Sequence, residues 1–345
     1  MERRHFLQVA AGGAALALAG HARAQGRAEV SKLSMGFGLD PVFAPHIIAM
    51  DKGWLKEAGF TDIATPSFTS GATAGEALLS GDIQLWTPGN LPPISMAQSG
   101  LPILVLATNC IAVAADNLVA RKDANIRAPE DLYRIKIGLL DGSTASATLA
   151  GLARHYGLDP KRLQVVNMPP PEQFASLKAN TIQALLCWQP WGYNALALGD
   201  TMLVHSGVES GFEKNRGEKV QISATRSLLV TSEDFVRRAP NATALLMAAL
   251  VRAQRYVSDP ANRNEALDRV AAVTKQDRAL VAAIWSQYVF DPSFDQAYVD
   301  DMHAMADYLV ASGRIKAAKD PLDYTYSVPA AAAGARVTVP GHWKP

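Results

Sequence analysis

Ten neutral polar side chains, Thr69, Ser70, Thr73, Thr87, Asn90, Asn109, Ser143, Thr144, Gln189 and Tyr193, fall in five of seven short loops. The loops are residues 38–45, 69–73, 87–92, 109–112, 141–146, 167–172 and 188–193. Trp188 and Trp191 lie in the same loops and Trp86 adjoins one, which is half of the six tryptophans in the chain. None of the loops contains Lys or Arg, and their carboxylates are Asp40, Asp141 and Glu172. Hydroxyls, amides and indole faces with little positive charge suit an organic molecule, its carbon against aromatic walls or a cation over a ring face. An anion would have to be held by N–H and O–H dipoles, best at Ser143-Thr144 on a helix N-terminus. Any one hydroxyl serves a helix cap as readily as a ligand. Taken together, the set reads as a site.

Reactive constellations are scarce. Residues 71–75, Gly-Ala-Thr-Ala-Gly, copy the outline of a nucleophile turn with Thr in place of Ser, but no His–acid pair attaches to it, and the segment reads as a helix start. Gly36 and Gly38 lack the third glycine of a dinucleotide loop. His303 and Asp307 stand one helical turn apart near Asp300 and Asp301, a pattern that fits a solvated helix face better than a metal site. His46, His155 and His205 stand alone in the sequence and receive no role. Cys110 and Cys187 are the only thiols; in an oxidising compartment one bridge between them is open. The sequence therefore assigns no catalytic residue, no metal and no cofactor.

The loops lie between strands and helices that alternate. Residues 33–38 read as a strand, 45–58 as a helix, 62–68 as extended, 72–80 as a helix, 83–86 as a strand, 91–99 as a helix and 103–107 as a strand. The three helices stop at Gly59, Gly81 and Gly100, where a left-handed residue ends a last turn. The pattern restarts with strands at 118–120, 135–140, 165–168, 182–188 and 202–204, and helices after Ser143, at 172–179 and at 189–198. Residues 209–221 read as a loop or crossing, 222–230 as a strand, and the rest as helices at 241–257, 265–273, 279–289 and 296–311. The fold class is α/β with mostly parallel sheets flanked by helices, and ligands of such sheets sit beyond the carboxyl ends of the strands.

Composition narrows the class. The chain has 345 residues with 33 basic and 32 acidic side chains, a net charge of +1. Residues 1–24 run from Arg3-Arg4 through an apolar stretch to Ala22-Arg23-Ala24, the order of an export signal. The apolar stretch is too short for a span of about 20 residues, and Arg3-Arg4-His5-Phe6-Leu7 resembles the twin-arginine type. Cleavage near Ala24 removes Arg3, Arg4, Arg23 and Glu2 and leaves a nearly neutral chain, with no footprint for nucleic acid. At 49% hydrophobic residues the chain is not disordered, and about 320 residues divide naturally between two units.

The residues also resemble a known family. Ala49-Met50-Asp51-Lys52-Gly53-Trp54-Leu55, Phe68-Thr69-Ser70-Gly71, Ala77-Leu78-Leu79-Ser80-Gly81-Asp82-Ile83, Gly142-Ser143-Thr144 and Cys187-Trp188-Gln189-Pro190-Trp191 occur in the order seen in periplasmic solute-binding proteins of ABC importers for nitrate, sulfonate and taurine. These are related to thiamine-pyrimidine-precursor (NMT1-like) binding proteins. The resemblance implies a two-lobed type II binding-protein fold that closes on its ligand by a hinge. One lobe would be discontinuous, residues 30–115 and 222–345, and the other residues 116–221. It implies ligand contacts at Ser70, Gly71 and residues 87–90 (Thr87 and Asn90 among them) from the first lobe, and at Ser143, Thr144, Trp188, Gln189 and Trp191 from the second. Asp40 and Asn109 join them from the loop reading. The implied role is capture of a small organic solute, sulfonate- or taurine-like or related, without turnover, by a monomer that hands it to ABC permease and ATPase subunits in the inner membrane. A pyrimidine, aromatic or amine ligand, an NMT1-like enzyme, and a periplasmic sensor subunit are the alternatives. The sequence departs from the sulfonate pattern at one point: no basic side chain in the seven loops matches a sulfonate-binding residue.

Overall fold

The computed structural model describes residues 26–345 apart from residues 39, 69, 70, 115, 223 and 224 and the side chain of Ala72. The expected export signal, residues 1–24, and Ser70 lie outside the described residues. Eleven strands follow in chain order: β1 Lys32–Gly36, β2 Asp62–Ala64, β3 Leu85–Trp86, β4 Ile103–Ala112, β5 Asn117–Arg121, β6 Lys136–Leu139, β7 Gln164–Asn167, β8 Ala184–Cys187, β9 Thr201–His205, β10 Thr225–Ser232 and β11 Tyr288–Val289. They form two sheets, in the orders β11-β4-β10-β3-β1-β2 and β7-β6-β8-β5-β9.

Each sheet is mixed rather than mostly parallel. Strands β2-β1-β3 and β7-β6-β8 are parallel, as the strand–helix alternation predicts. The antiparallel pairs all involve the strands that carry the chain between the sheets or pair beside them. The reason is geometric. The chain leaves the first sheet at the end of β4 and comes back into it at the start of β10, so Ala112 pairs with Thr225 and the two strands must run in opposite directions. In the second sheet the chain arrives at Asn117 and departs at His205, and β5 and β9 are antiparallel for the same reason.

The helices used below are α1 Ala44–Asp51, α2 Gly71–Ser80, α3 Leu91–Gln98, α4 Thr144–His155, α5 Pro170–Lys178, α6 Trp191–Leu196, α7 Pro240–Ser258, α8 Arg263–Thr274 and α9 Gln296–Ala311. Gly59, Gly81 and Gly100 all have positive φ, at 100°, 84° and 82°, the left-handed stops expected from the sequence. The helix expected at 45–58 is broken: Gly53 takes φ 73° and the chain restarts at Trp54. The helix expected at 279–289 ends at Ile284, because Tyr288 and Val289 pair with β4 as an added edge strand.

One large apolar cluster fills the space around the first sheet and includes Leu33, Met35, Leu85, Val105 and Leu228. Helix α7 feeds it with Ala242, Leu246, Ala249, Leu250, Ala253 and Val257, a three-and-four spacing that turns one stripe inward. The second sheet is covered on both faces. Leu118, Ala120, Ala184 and Leu186 face one cluster, and Val119, Leu185 and Cys187 face the other, the alternation of a pleated strand. Among the described residues no helix is long and apolar enough to cross a membrane.

Candidate functional site

A cavity of about 510 Å³ lies where the two sheets point their carboxyl ends at each other. After β1 the chain contributes Phe37, Gly38 and Asp40, and after β3 it contributes Thr87 and Gly89. The loop after β6 supplies residues 140–144, and the segment after β8 supplies Trp188 and Gln189. Asp116 and Thr225 line it from the two crossings, Tyr288 from β11 and Arg314 from beyond α9. The sheets approach closely here: a methyl group built on Gly89 would sit 2.9 Å from the Cγ2 methyl of Thr144.

Three carboxylates line the cavity, with different partners. Burial pushes the Asp40 pKa up to about 7, and a hydrogen bond from the Trp188 side chain opposes that shift. Asp116 is buried and accepts hydrogen bonds from Thr225 Oγ1 at 2.9 Å, Thr148 Oγ1 at 3.1 Å and Thr144 Oγ1 at 3.4 Å. Its pKa also rises, chiefly from burial, against the pull of these hydroxyls. Asp141 pairs with Arg314 across the mouth, joining the loop after β6 to the segment after α9. Behind the wall, His46 lies 2.9 Å from the Thr87 hydroxyl and 4.7 Å from the Phe37 ring. Burial pushes its pKa down to about 3, so it is neutral.

Of the residues the sequence points to, Asp40, Gly71, Thr87, Ser143, Thr144, Trp188 and Gln189 line this cavity. Several are held in place by their own bonds. Ser143 Oγ donates to the Leu140 carbonyl at 2.6 Å. Gln189 donates to Asn117 Oδ1 and accepts from the Tyr193 amide, each at 2.9 Å. Three expected contacts do not line it. Asn90 is fully buried at the start of α3. Asn109 is buried and donates to the Val42 carbonyl at 3.0 Å and to Ser227 Oγ at 3.3 Å, bracing the turn that carries Asp40. Trp191 opens α6, half-buried, and its ring packs 6.2 Å from Phe174 on α5, against the second sheet's apolar cluster. Phe37, Asp116, Tyr288 and Arg314 are among the lining residues that were not singled out from the sequence. Phe37 lies between Gly36 and Gly38, a signal that was available. The other three come from distant stretches with no local pattern.

The thiols do not pair. Cys110 and Cys187 are both free and buried, one in each sheet. Among the described residues the one cluster of metal-ligand type is Asp320, Asp323 and His342, all exposed, and His303 and Asp307 are not part of it.

The fold is that of the two-lobed periplasmic binding proteins. Residues 26–271 match the NMT1-like family, and the chain belongs to it. A taurine-binding periplasmic protein of Escherichia coli is 28% identical over 211 residues, 61% of this chain and 62% of that protein. A nitrate/nitrite binding protein of Nostoc, NrtA, is 26% identical over 270 residues, 69% of this chain and 57% of that protein. Both relatives are thus matched over less than two thirds of their own length. Among solved structures, the alkanesulfonate-binding protein SsuA from Xanthomonas axonopodis, bound to MOPS, superposes with a TM-score of 0.71 at 19% identity, covering 87% of this chain and 99% of that one. The desulfurization enzyme DSZB shares the fold at a TM-score of 0.65 and 17% identity, covering 88% and 99%.

Proposed function

We propose that this chain is the exported solute-binding component of an ABC importer, which takes one small organic solute between two lobes and releases it unchanged. The cavity of about 510 Å³ carries the reading, because it is walled from both sheets. A solute seated there touches both sides at once and favours the closed arrangement by the contacts it gains in that state. We assign residues 30–115 and 222–345 to one lobe and residues 116–221 to the other, with the two crossings as the hinge. Asp40, Gly71, Thr87, Ser143, Thr144, Trp188 and Gln189 are the ligand contacts in this assignment. The partners are a permease and an ATPase in the inner membrane, the chain acts as a monomer in the periplasm, and the leader is removed near Ala24.

Capture without turnover fits the chemistry of the thiols. Burial holds both Cys110 and Cys187 well above the ordinary thiol range, so neither is a thiolate nucleophile. Isothermal titration of the chain from Gln25 onward, followed by mass spectrometry of the recovered solute, tests the proposal. The expected result is saturable one-to-one binding, an unaltered solute, and a smaller radius of gyration in X-ray scattering at saturation. A solute recovered as a product, or scattering that stays fixed at saturation, overturns it.

A further inference from the structure

The acidic groups lining the cavity outnumber the basic ones. Asp40 reaches it at the turn that follows β1, its side-chain hydrogen-bond partner is Trp188, and among the described residues no cationic group acts on it. Asp116 is likewise surrounded by threonine hydroxyls and, among the described residues, by no cation. Arg314 is the one basic side chain lining the cavity among the described residues, and Asp141 already engages it. Tyr288 and Cys187 each feel both Asp40 and Asp116, which places the two carboxylates around the same space.

Helix N-termini argue the other way, since α4 aims a positive dipole end at the cavity. That end carries no side-chain cap, but the Asp116 carboxylate already stands beside it and opposes a second negative charge there. Thr144 and Thr148, in its first two turns, donate to Asp116, and Ser143 Oγ is turned back onto Leu140. An incoming anion would meet two carboxylates and, among the described residues, no unengaged cation. A cation would meet Asp40 with aromatic faces beside it: Phe37 and Phe43 lie 5.6 Å apart and line the cavity together with Trp188.

We infer that the captured solute is an organic cation, a protonated amine or amidine on an apolar or aromatic body, whose nitrogen is held by the Asp40 carboxylate beside Trp188. The inference rests on the solute-capture reading above and adds the charge class.

The test uses probes with matched bodies and opposite charge: benzamidine against benzoate, and phenethylamine against 2-phenylethanesulfonate, with taurine and nitrate alongside. Binding to the chain from Gln25 onward is measured by titration calorimetry at pH 8. The cations are expected to bind at least tenfold tighter than their anionic counterparts. Asp40→Asn, which keeps an acceptor for the Trp188 indole, should reduce that preference to twofold or less. The wild-type preference needs no variant, so it stands as a readout even where the substitution perturbs folding. Tighter binding of the anions, failure of the cations to bind, or an unchanged preference in a folded Asp40→Asn protein overturns the inference. An anion preference with the solute recovered intact leaves the capture reading standing, whereas conversion of a probe into product overturns both.

Discussion

A carboxylate kept for a ligand should cost the empty protein stability, and Asp40 allows the size of that cost to be worked out. Its pKa in the fold is pushed up from 3.8 to about 7, chiefly by burial. A gap of about three units, at roughly 1.4 kcal/mol each, sets a ceiling of about 4 kcal/mol. The sign follows from which form the fold prefers. An acid whose folded pKa lies above its unfolded one is favoured in its neutral form, so the penalty is absent below about pH 4 and complete above about pH 7. Water entering the cavity recovers part of it, which leaves about 1–3 kcal/mol at pH 8 for Asp40→Asn to regain. Urea unfolding followed by tryptophan fluorescence at pH 4.5, 6, 7 and 8 measures the difference. At a slope of about 3 kcal/mol/M the midpoint of the variant should move up by about 0.3–1 M at pH 8 and by much less at pH 4.5. A variant no more stable than wild type at pH 8, or one with the same gain at every pH, refutes the claim that this carboxylate is desolvated and uncompensated.

Further outcomes concern the walls and the closing contact. Trp188→Ala should weaken binding about tenfold or more in calorimetry while moving the unfolding midpoint little, since the indole lines the cavity. Trp191→Ala should do the reverse, costing about 2–4 kcal/mol of stability through lost packing on Phe174 and changing affinity less than twofold. Equal effects of the two substitutions on affinity contradict the placement of Trp191 away from the solute. Gly89→Val drives a methyl toward the Thr144 Cγ2, which a bond to Asp116 helps to hold. Overpacking of about 1–3 kcal/mol in the closed form alone translates to affinity weaker by about 5- to 150-fold. Unchanged affinity shows that these two segments do not meet around the solute.

Legibility in the sequence followed how local each signal is. Helix stops at Gly59, Gly81 and Gly100 were readable because a left-handed backbone is a one-residue property. The parallel cores of both sheets were readable because strand, helix and strand in succession permit little else. The loops that line the cavity were readable for a related reason, since the carboxyl ends of such strands must converge. Asp116 was missed although it gathers three hydroxyls, because two of them, Thr144 and Thr148, lie on a helix and the third, Thr225, lies 109 residues away. Arg314 and Asp141 are 173 residues apart, and nothing near either one announces the other.

The order of residues by itself determined the α/β class, the positions of most strands and helices, and a rim of hydroxyls and indoles around one set of loops, since these depend on periodicity and on neighbours within a few turns. Tertiary structure alone decided which of those side chains face the cavity. Trp188 and Trp191 are three positions apart and equally aromatic, yet one hydrogen-bonds to Asp40 and the other packs on Phe174. It also decided which carboxylates reach the cavity. Whether a carboxylate is compensated depends on what the other sheet brings within a few ångströms of it, and chain distance carries no record of that separation.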